Sequence, residues 1–409
     1  MVQIKTIDEL EALYYGYNRN LLRKADAPAT TSTAGVFNAI FGAYAWAQLN
    51  LEANAFGILP KYPWDKSGWR VITAKPTLAT TAQGTANNNT ALGGTGEGGL
   101  IADTVKPTLQ EIDVRPKTAQ LPFSASEVME WLATHSKDDI WGGLGSLRLY
   151  MAVQHKEFLN RMLLADVEGN VSSGAFAGTK DFESLDRIVS SNAEETALGG
   201  SGSEEYNPWN ANATIDRDGS SEFDCTVESA SGTIGTNGVL TDDTLRTFLR
   251  KIRIAAGKDP NVFLGSHEVY SEIQGLYMPS VRIPNPYGES LVQIDVTGIQ
   301  TFKGTGVGIH VDSIYGIPFI PSKDAPSDAG DSSEIGRLFA FDTSDAEGYG
   351  YPRIGIQIAI PTEYYEATRR SPGYPFVNNA FVEKGVFRTM GETVCRHFKS
   401  QGKIRDIKL

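Results

Sequence analysis

The segment that most constrains this chain is residues 79–103, which read ATTAQGTANNNTALGGTGEGGLIAD. These residues are small, polar and rich in glycine, so the segment cannot bury enough apolar surface to become ordered by itself. Strand-like sequence flanks it at 68–78 and 108–123. A long loop of this kind is uncommon in a compact domain unless it has a function, and an isolated hairpin is marginal in water. We therefore predict a two-stranded arm that projects from the body of the protein and is ordered by neighbouring molecules.

Periodic patterns on both sides of this arm predict a mixture of helices and strands. The predicted helices are 6–24, 33–50, 124–135, 138–166, 241–256 and 266–277. The predicted strands are 182–191, 223–229, 261–265, 306–311, 319–321, 337–341, 353–360 and 380–398. The spacing of Ser124 and Glu127 predicts a capping box for the third helix, and Thr241 and Gly257 are typical ends of the fifth.

Two of the predicted helices stand out by length or by apolar character. Helix 138–166 keeps its apolar period over roughly 40 Å, which is long for a globular protein. Helix 33–50 is apolar on more than one side, because Phe37, Phe41, Tyr44 and Trp46 do not share one face. We expect something else to cover this helix, and another subunit is one candidate.

The composition is that of a globular protein with no export or membrane signal. Of its 409 residues, 41% are hydrophobic and 21% are charged, which is enough for two or more cores. No apolar run reaches the ~18 residues that a membrane span needs, and the acidic N-terminal residues contain no signal core. Cys225 and Cys395 lie 170 positions apart, which indicates neither a disulfide framework nor a metal site.

The net charge of −12 argues against a monomeric nucleic-acid-binding protein, which usually carries a basic stripe. The charge is unevenly distributed along the chain. Residues 166–243 contain 16 acidic and three basic side chains, whereas residues 383–409 contain seven basic and three acidic ones. Such asymmetry allows one acidic surface and another that is compatible with a packaged polyanion. An ordinary solvated surface is the alternative for any single run.

Three segments, in this order after the predicted arm, carry a resemblance to a known family. They are 121–169 (beginning LPFSASEVMEWL), 240–276 (beginning LTDDTLRTFLRK) and 381–407 (beginning FVEKGVFRTMGE). Their order and sequence resemble the major capsid proteins of tailed viruses, which have the Hong Kong 97-type fold. The segments 56–71 and 206–224 are similar to an archaeal branch of these viruses. The resemblance implies an α+β fold with an N-terminal arm, an extended β-hairpin loop, a peripheral domain with a long spine helix, and an axial domain.

The resemblance also implies how the chain divides into domains. The expected ranges are 1–60 for an N-terminal arm with helices, 61–120 for the extended loop, 121–180 for the peripheral domain with its spine helix, 181–350 for the axial domain, and 351–409 for strands that return to the peripheral domain. Many relatives begin with a longer, cleaved scaffolding segment. Here about sixty residues precede the arm, so we expect a separate scaffold protein or none.

The function that the resemblance implies is that of a major capsid protein. Copies would self-assemble as hexamers and pentamers into an icosahedral shell, with packaged double-stranded DNA on the inner surface and no membrane. Scaffold, portal and decoration proteins are further expected partners, and the expected location is the virion capsid, assembled in the host cytoplasm. The alternative is an encapsulin-type nanocompartment that encloses cargo protein. A soluble enzyme or sugar-binding protein with a Gly-rich loop is a more distant alternative.

Candidate intersubunit contacts lie at the two ends of the arm. They are Trp64, Trp69 and Arg70 at its root, and Gly93, Gly94, Gly96 and Glu97 at its tip. Trp and Arg are frequent anchors of interfaces, but packing within one domain explains the root residues equally well. Some relatives also crosslink subunits through Lys and Asn side chains. The candidates here are Lys75 or Lys106 with Asn378 or Asn379, and we do not expect the crosslink to form.

No motif indicates catalysis or a cofactor, and we predict that the chain is not an enzyme. The Gly-rich run 93–99 lacks the ending of a phosphate loop and the helix that should follow it. No nucleophile elbow is present, and the five histidines form no ligand pair. Four acidic residues at near-alternate positions are candidate ligands for a Ca²⁺-like ion: Asp216, Asp218, Glu222 and Asp224. The EF-hand glycine and glutamate are missing, so a turn with solvated carboxylates is the favoured interpretation.

Overall fold

The structure, a computed structural model, describes residues 52–74, 108–135, 144–167, 181–198, 206, 208–209, 215, 217, 221–277, 313–327, 335–345, 348, 350–374, 376 and 378–409. Predicted helices 6–24 and 33–50, the arm segment 79–103 and predicted strand 306–311 lie outside these residues. The described strands form a four-stranded sheet, a six-stranded sheet and a two-stranded ribbon. The predicted mixed α+β class is confirmed. Among the described helices, none combines the length and the apolar character needed to cross a membrane.

The chain passes from the four-stranded sheet to the six-stranded sheet, returns to the four-stranded sheet, and ends in the six-stranded sheet. In chain order they are α1 (Asn54–Ile58), β1 (Lys61–Pro63), β2 (Gly68–Ala74), β3 (Thr108–Asp113), β4 (Lys117–Ser126), α2 (Glu127–His135), α3 (Leu144–Leu163), α4 (Leu185–Ile188), α5 (Asn192–Leu198), β5 (Thr226–Ser229), α6 (Asp242–Ala256), β6 (Val262–Gly265), α7 (His267–Tyr277), β7 (Ser313–Ile314), β8 (Ile317–Pro321), β9 (Ile335–Phe341), β10 (Ile354–Ala367), β11 (Val382–Cys395) and β12 (Gly402–Lys408).

The four-stranded sheet has the order β1-β10-β11-β4 and carries the long helix α3. Strand β1 runs parallel to β10, and the other neighbours are antiparallel. The sequence pattern 353–360 predicted a half-buried strand, but Ile354, Gly355, Ile356 and Gln357 are all buried, so the start of β10 is covered on both faces. The strand continues to Ala367, beyond the predicted end, and its register with β11 shifts near Ile360.

Helix α3 lies across this sheet, with Leu159 and Met162 packed against Ala119 of β4 and Phe182. Its 20 residues correspond to a rod of about 30 Å. The described helix ends at Leu163, three residues before the predicted end, and 138–143 lie outside the described residues. The buried His155 joins the helix to β11, because its Nε2 lies 2.8 Å from the hydroxyl of Thr389.

The N-terminal cap of α2 differs from the predicted one. Ser124 lies within β4, paired with Lys384 of β11, and does not cap a helix. Ser126 does so instead, since its Oγ accepts a hydrogen bond of 3.2 Å from the Met129 amide. The predicted capping box was therefore wrong by two residues, because pairing with the neighbouring strand keeps the chain extended as far as Ser126.

The six-stranded sheet has the order β5-β12-β9-β6-β8-β7 and packs against α6 and α7. Helix α6 forms where the sequence predicts it. The Thr241 side chain accepts a hydrogen bond of 3.2 Å from the Thr244 amide, and Gly257 ends the helix with a φ of +81°. A left-handed residue at this position favours glycine because a Cβ atom strains that conformation. Leu245, Phe248 and Ile252 form its buried face.

Two sequence predictions for the six-stranded half need correction. The segment 182–191, predicted as a strand, contains the short helix α4, because the Ser184 side chain caps it by accepting from the Arg187 amide. Residues 402–408 form a strand, β12, that pairs with β5 and β9 and not with the sheet that carries α3. The expected return range 351–409 therefore contributes strands to both sheets.

The main hydrophobic core joins the two sheets. It contains Leu264 and Phe339 from the six-stranded sheet, Ile356 and Val394 from the four-stranded sheet, and the buried Trp209. Cys225 and Cys395 are both free and buried in this core. Burial raises the pKa of the Cys225 thiol to about 11, so the thiol stays protonated and unreactive at neutral pH.

Candidate assembly surface

Strands β2 and β3 form a two-stranded antiparallel ribbon, which is the described part of the predicted arm. The register pairs Trp69 with Ile112, Arg70 with Glu111, and Ile72 with Leu109. Neither strand pairs with a third strand among the described residues. A two-stranded ribbon is marginally stable in water without further packing, so each of its two faces needs a partner.

The inner face of the ribbon obtains that packing from the chain itself. Ile112 is fully buried in the main core, and Trp69 and Val71 pack against the same core. The indole of Trp69 meets that of Trp209 edge to face, with 5.7 Å between ring centroids. A Cβ atom on Gly68 would lie 2.5 Å from the Ile112 carbonyl oxygen, so the close approach of the two strands requires glycine there.

The outer face of the ribbon exposes an apolar pair. Ile72 is 61% exposed and Leu109, directly opposite, is 55% exposed. The next pair on the same face is an exposed ion pair, with 2.9 Å between Arg70 Nε and Glu111 Oε1. An apolar pair bordered by an Arg–carboxylate pair has the composition of a small interface, with an apolar centre and a polar rim.

Aromatic rings and one arginine fix the root of the ribbon. The Arg396 guanidinium lies over three rings, at 4.8 Å from Tyr62, 5.6 Å from Trp69 and 4.6 Å from Tyr351. It also donates a hydrogen bond of 2.7 Å to the Tyr62 hydroxyl. Burial raises the pKa of Tyr62 to about 12 although Arg396 opposes the shift. Such cation–π contacts fix the orientation of the ribbon relative to the rest of the described chain.

The three predicted contact residues at the root do not share one role: two pack within their own chain, and one is exposed and free to contact a neighbouring subunit. Trp69 packs within its own chain, and Trp64 packs against the same core with its amide donating to the Ile358 carbonyl at 2.8 Å. Arg70 is exposed on the outer face. The four tip residues Gly93, Gly94, Gly96 and Glu97 lie outside the described residues, and their role stays a prediction.

A buried charged junction, for which the sequence contains no motif, lies at the start of β4. Lys117 Nζ lies 2.9 Å from Glu392 Oε2 and 3.8 Å from Glu183 Oε2. Glu392 also accepts a hydrogen bond of 2.6 Å from the Glu183 amide, and Glu183 accepts one of 3.0 Å from the Trp209 amide. Burial raises the pKa of Glu392 to about 7, against the opposing effect of Lys117. The junction therefore links the first residue of β4 to β11 through Glu392, a carboxyl group whose pKa is raised to about 7.

A second buried cluster joins the acidic and basic segments of the sequence. Lys403 Nζ lies 2.8 Å from Asp186 Oδ1 and 2.7 Å from Glu194 Oε1. Arg405 pairs with Glu194 at 2.5 Å, and Arg337 pairs with Asp186 at 2.5 Å. Burial alone would raise the pKa of Asp186, but Arg337 and Lys403 reverse this and hold the pKa well below its ordinary value. All of these side chains are buried.

This cluster changes how the charge asymmetry is understood. From the sequence, we predicted only surface roles for the acidic and basic segments. Lys403 and Arg405 instead neutralise Asp186 and Glu194 inside the protein, whereas Lys384 and Lys408 remain exposed. The net contribution of the basic C-terminal segment to any surface is therefore smaller than its sequence indicates.

The candidate metal and crosslink residues are only partly described. Asp216 and Asp218 lie outside the described residues, Glu222 is exposed, and Asp224 accepts a hydrogen bond of 2.9 Å from the Asn192 amide. In the described ranges, no group of three or more His, Cys, Asp or Glu side chains could hold a metal ion. Lys75 and Lys106 also lie outside these ranges. The buried Asn378 amide donates to the Ala367 and Val382 carbonyls within its own hairpin, and Asn379 is exposed.

No protein-family model matches the chain, and no curated protein matches it in sequence. Solved structures do match. A chain of the Cyanophage A-1(L) capsid asymmetric unit has a TM-score of 0.58 at 15% identity, covering 90% of this chain and 96% of that chain. A capsid chain of the native GTA particle has a TM-score of 0.51 at 9% identity, covering 98% and 99%. A Microbacterium phage Oxtober96 chain has a TM-score of 0.46 at 13% identity, covering 89% and 93%. The first two matches confirm the capsid fold of the Hong Kong 97 type that the sequence resemblance implied.

Proposed function

We propose that this chain is the major capsid protein of a tailed virus. Its copies would self-assemble into an icosahedral shell that encloses double-stranded DNA. The observation that carries the proposal is that the fold shared with two capsid chains extends over nearly the whole length of this chain.

The exposed outer face of the ribbon supports self-assembly in physical terms. Ile72 and Leu109 expose apolar surface at a point where the chain supplies no cover among the described residues. Burying such surface against a neighbour gives about 25 cal/mol for each Å² removed from water. A single contact through two apolar side chains is weak. In a closed shell every subunit both gives and receives it, and the contacts act multivalently.

The remaining expectations are part of the same proposal. Gly93, Gly94, Gly96 and Glu97 would extend the contact at the arm tip, and hexamers and pentamers would be the assembly units. The ranges 121–180 and 181–350 would be the peripheral and axial domains, with β12 added to the axial sheet. DNA would line the inner surface, and scaffold, portal or decoration proteins would be further partners in the host cytoplasm. We propose no enzymatic activity and no cofactor.

The proposal is tested by purifying the expressed chain and examining it by size-exclusion chromatography and electron microscopy. We expect closed particles of megadalton mass, because the subunit itself has a mass of only 44.3 kDa. A single small oligomer at all concentrations would contradict the proposal and favour a soluble enzyme or binding protein. Closed shells from the native source that contain a cargo protein and no nucleic acid would identify an encapsulin-type compartment instead.

A further inference from the structure

Exposed positive charge is concentrated on helix α6. The eight residues from Arg246 to Arg253 contain three arginines and one lysine, all of them exposed, and no acidic residue. The basic C-terminal segment supplies less exposed charge, because Lys403 and Arg405 are buried beside carboxylates. Helix α6 is therefore a better candidate than the C-terminal segment for a surface that faces a polyanion.

The three arginines share one face of α6. Arg246, Arg250 and Arg253 are spaced by four and three residues, so they follow one another along the helix as an arginine ridge. The opposite side of the helix packs on the six-stranded sheet through Phe248 and Ile252. The arginine ridge therefore points away from the sheet.

The arginine ridge borders an open cavity of about 360 Å³ between α6 and the turn that joins β7 to β8. The residues that line this cavity besides the three arginines are Leu249, Ile254, Asp259, Tyr315 and Ile317. Its lining thus contains three guanidinium groups and one carboxylate, although the chain as a whole has a net charge of −12. A local excess of cations of this kind attracts an anionic ligand.

Tyr315 fixes one end of the arginine ridge. It lies in the β7–β8 turn with a φ of +54°, a left-handed conformation that is strained for an aromatic residue. Its hydroxyl donates to Asp242 and accepts a hydrogen bond of 3.2 Å from Arg246 Nε. The Arg246 guanidinium is therefore held beside the cavity, and it has further N–H donors for a ligand.

The other two arginines also keep donors for a ligand. Arg253 uses its Nε and one Nη nitrogen on Asp259, with 2.8 Å between Nε and Oδ1. Arg250 takes part in no ion pair with a described residue. Each guanidinium has five N–H donors, and exposed ion pairs are weak. An incoming anion can therefore add to the existing pairs or replace them.

We propose that the arginine ridge binds the phosphate groups of packaged DNA. This inference rests on the proposed function, which supplies the ligand. From Arg246 to Arg253 the ridge is roughly 10 Å long. One strand of duplex DNA has a phosphate every ~3.4 Å of helix axis, so about three phosphates lie along that length. A regular row of guanidinium groups thus meets a regular row of phosphates, and the planar guanidinium binds phosphate oxygens in pairs.

Fluorescence anisotropy with a labelled DNA duplex of about 20 bp tests the proposal on full-length subunits, taken from the particle-free supernatant after ultracentrifugation. We expect wild-type subunits to bind in roughly the micromolar range at about 50 mM salt. Arg250→Gln should weaken this binding roughly ten-fold and make the plot of log K against log salt shallower by about 0.9, because one phosphate contact is lost.

Arg370→Gln is the matched control. Arg370 lies between β10 and β11, is exposed, and forms no ion pair with a described residue, so the two substitutions change the net charge equally. We expect the control to leave both the affinity and the salt dependence at wild-type values. Equal losses for the two variants, or no binding by wild-type subunits at low salt, would overturn the proposal.

Two competitors identify the ligand. Polyglutamate of the same total charge should displace DNA at least ten-fold less well, because its lower charge density releases fewer counterions. Inorganic phosphate should displace DNA no better than chloride at the same ionic strength. Equal competition by polyglutamate would assign the arginine ridge to an acidic protein segment, and specific displacement by phosphate would assign it to a small anion; either result would overturn the proposal.

The assay separates this inference from the proposed function, because it uses subunits and not particles. Closed shells whose subunits show no effect of Arg250→Gln would refute only the inference. Subunits that bind DNA through Arg250 but never form shells would contradict only the proposed function. Since Arg250 is exposed, Arg250→Gln should keep the urea midpoint of wild type, which excludes unfolding as the cause of lost binding.

Discussion

Lys403 provides the sharpest test of the buried charges, because it is fully buried in the six-stranded sheet between two carboxylates. Its Nζ lies 2.8 Å from Asp186 Oδ1, 2.7 Å from Glu194 Oε1 and 3.0 Å from the Asp186 carbonyl oxygen. Lys403→Met keeps the apolar part of the side chain at similar length and removes the charge. The substitution therefore separates the ion pairs from the packing of the stem.

The expected loss of unfolding free energy depends on which cations still pair with the two carboxylates after Lys403 is replaced. Removing one partner of a buried ion pair costs about 3–5 kcal/mol, because the other charge stays buried. Arg337 still pairs with Asp186, and Arg405 still pairs with Glu194. We therefore expect the lower end of that range, about 3 kcal/mol of unfolding free energy. At neutral pH the full effect is present, since the pKa of Asp186 is held well below its ordinary value and the carboxylate is ionised.

Urea unfolding of the unassembled subunit, followed by tryptophan fluorescence, measures this loss. With a slope of roughly 3 kcal/mol per molar urea, the midpoint should fall by about 1 M. Lys408→Met is the matched control, because Lys408 lies on the same strand and is exposed. We expect the control to change the unfolding free energy by less than about 0.5 kcal/mol. Equal midpoints for the two variants would refute the assignment of a stabilising buried network.

Three further predictions concern the junction, the long helix and the ribbon. Because the folded protein favours the protonated form of Glu392, its contribution to stability falls as pH rises from 4.5 through about 7, by up to roughly 3 kcal/mol. In Glu392→Gln this part of the pH dependence should disappear from urea midpoints, and an unchanged slope would contradict the assignment. Burial lowers the pKa of His155 below 6.5, so the contribution of His155 to stability falls as pH drops below that value, and His155→Gln should remove this part of the pH dependence between pH 8 and pH 5. Ile72→Glu should abolish particle formation in electron micrographs while the conservative Ile72→Val assembles, and assembly of Ile72→Glu at wild-type yield would argue against the ribbon as a contact.

The parts of the fold that the sequence predicts best are those specified locally. Helix α6 has its cap at Thr241, its stop at Gly257 and its apolar face within one continuous segment. Strand β10 begins with an alternating pattern of isoleucines that predicts a strand, although it does not predict that Gly355 and Gln357 are buried as well. Local signals of this kind need no knowledge of the rest of the chain.

The parts that the sequence does not predict depend on contacts between distant residues. Strand β12 contains Lys403 and Arg405, which are typical of a surface, and their acidic partners lie more than two hundred positions earlier. Glu183 and Glu392 meet across 209 positions, with no motif at either end. The cap of α2 moved from Ser124 to Ser126 because of pairing with β11. In each case tertiary contacts override a local preference.

The two strands of the ribbon were predicted from the sequence, whereas the arm segment 79–103 between them lies outside the described residues and stays a prediction. Sequence reasoning could not separate Trp69, which packs inward, from Ile72, which is exposed, because period-two alternation alone does not say which face of a two-stranded ribbon meets the body.

The most direct measurement is a cryo-electron microscopy reconstruction of the assembled particle at a resolution that shows side chains. The account predicts a closed icosahedral shell in which a neighbouring subunit covers Ile72 and Leu109 on the outer face of the ribbon. A shell in which both side chains remain in contact with solvent, or a preparation that never closes into particles, would contradict it.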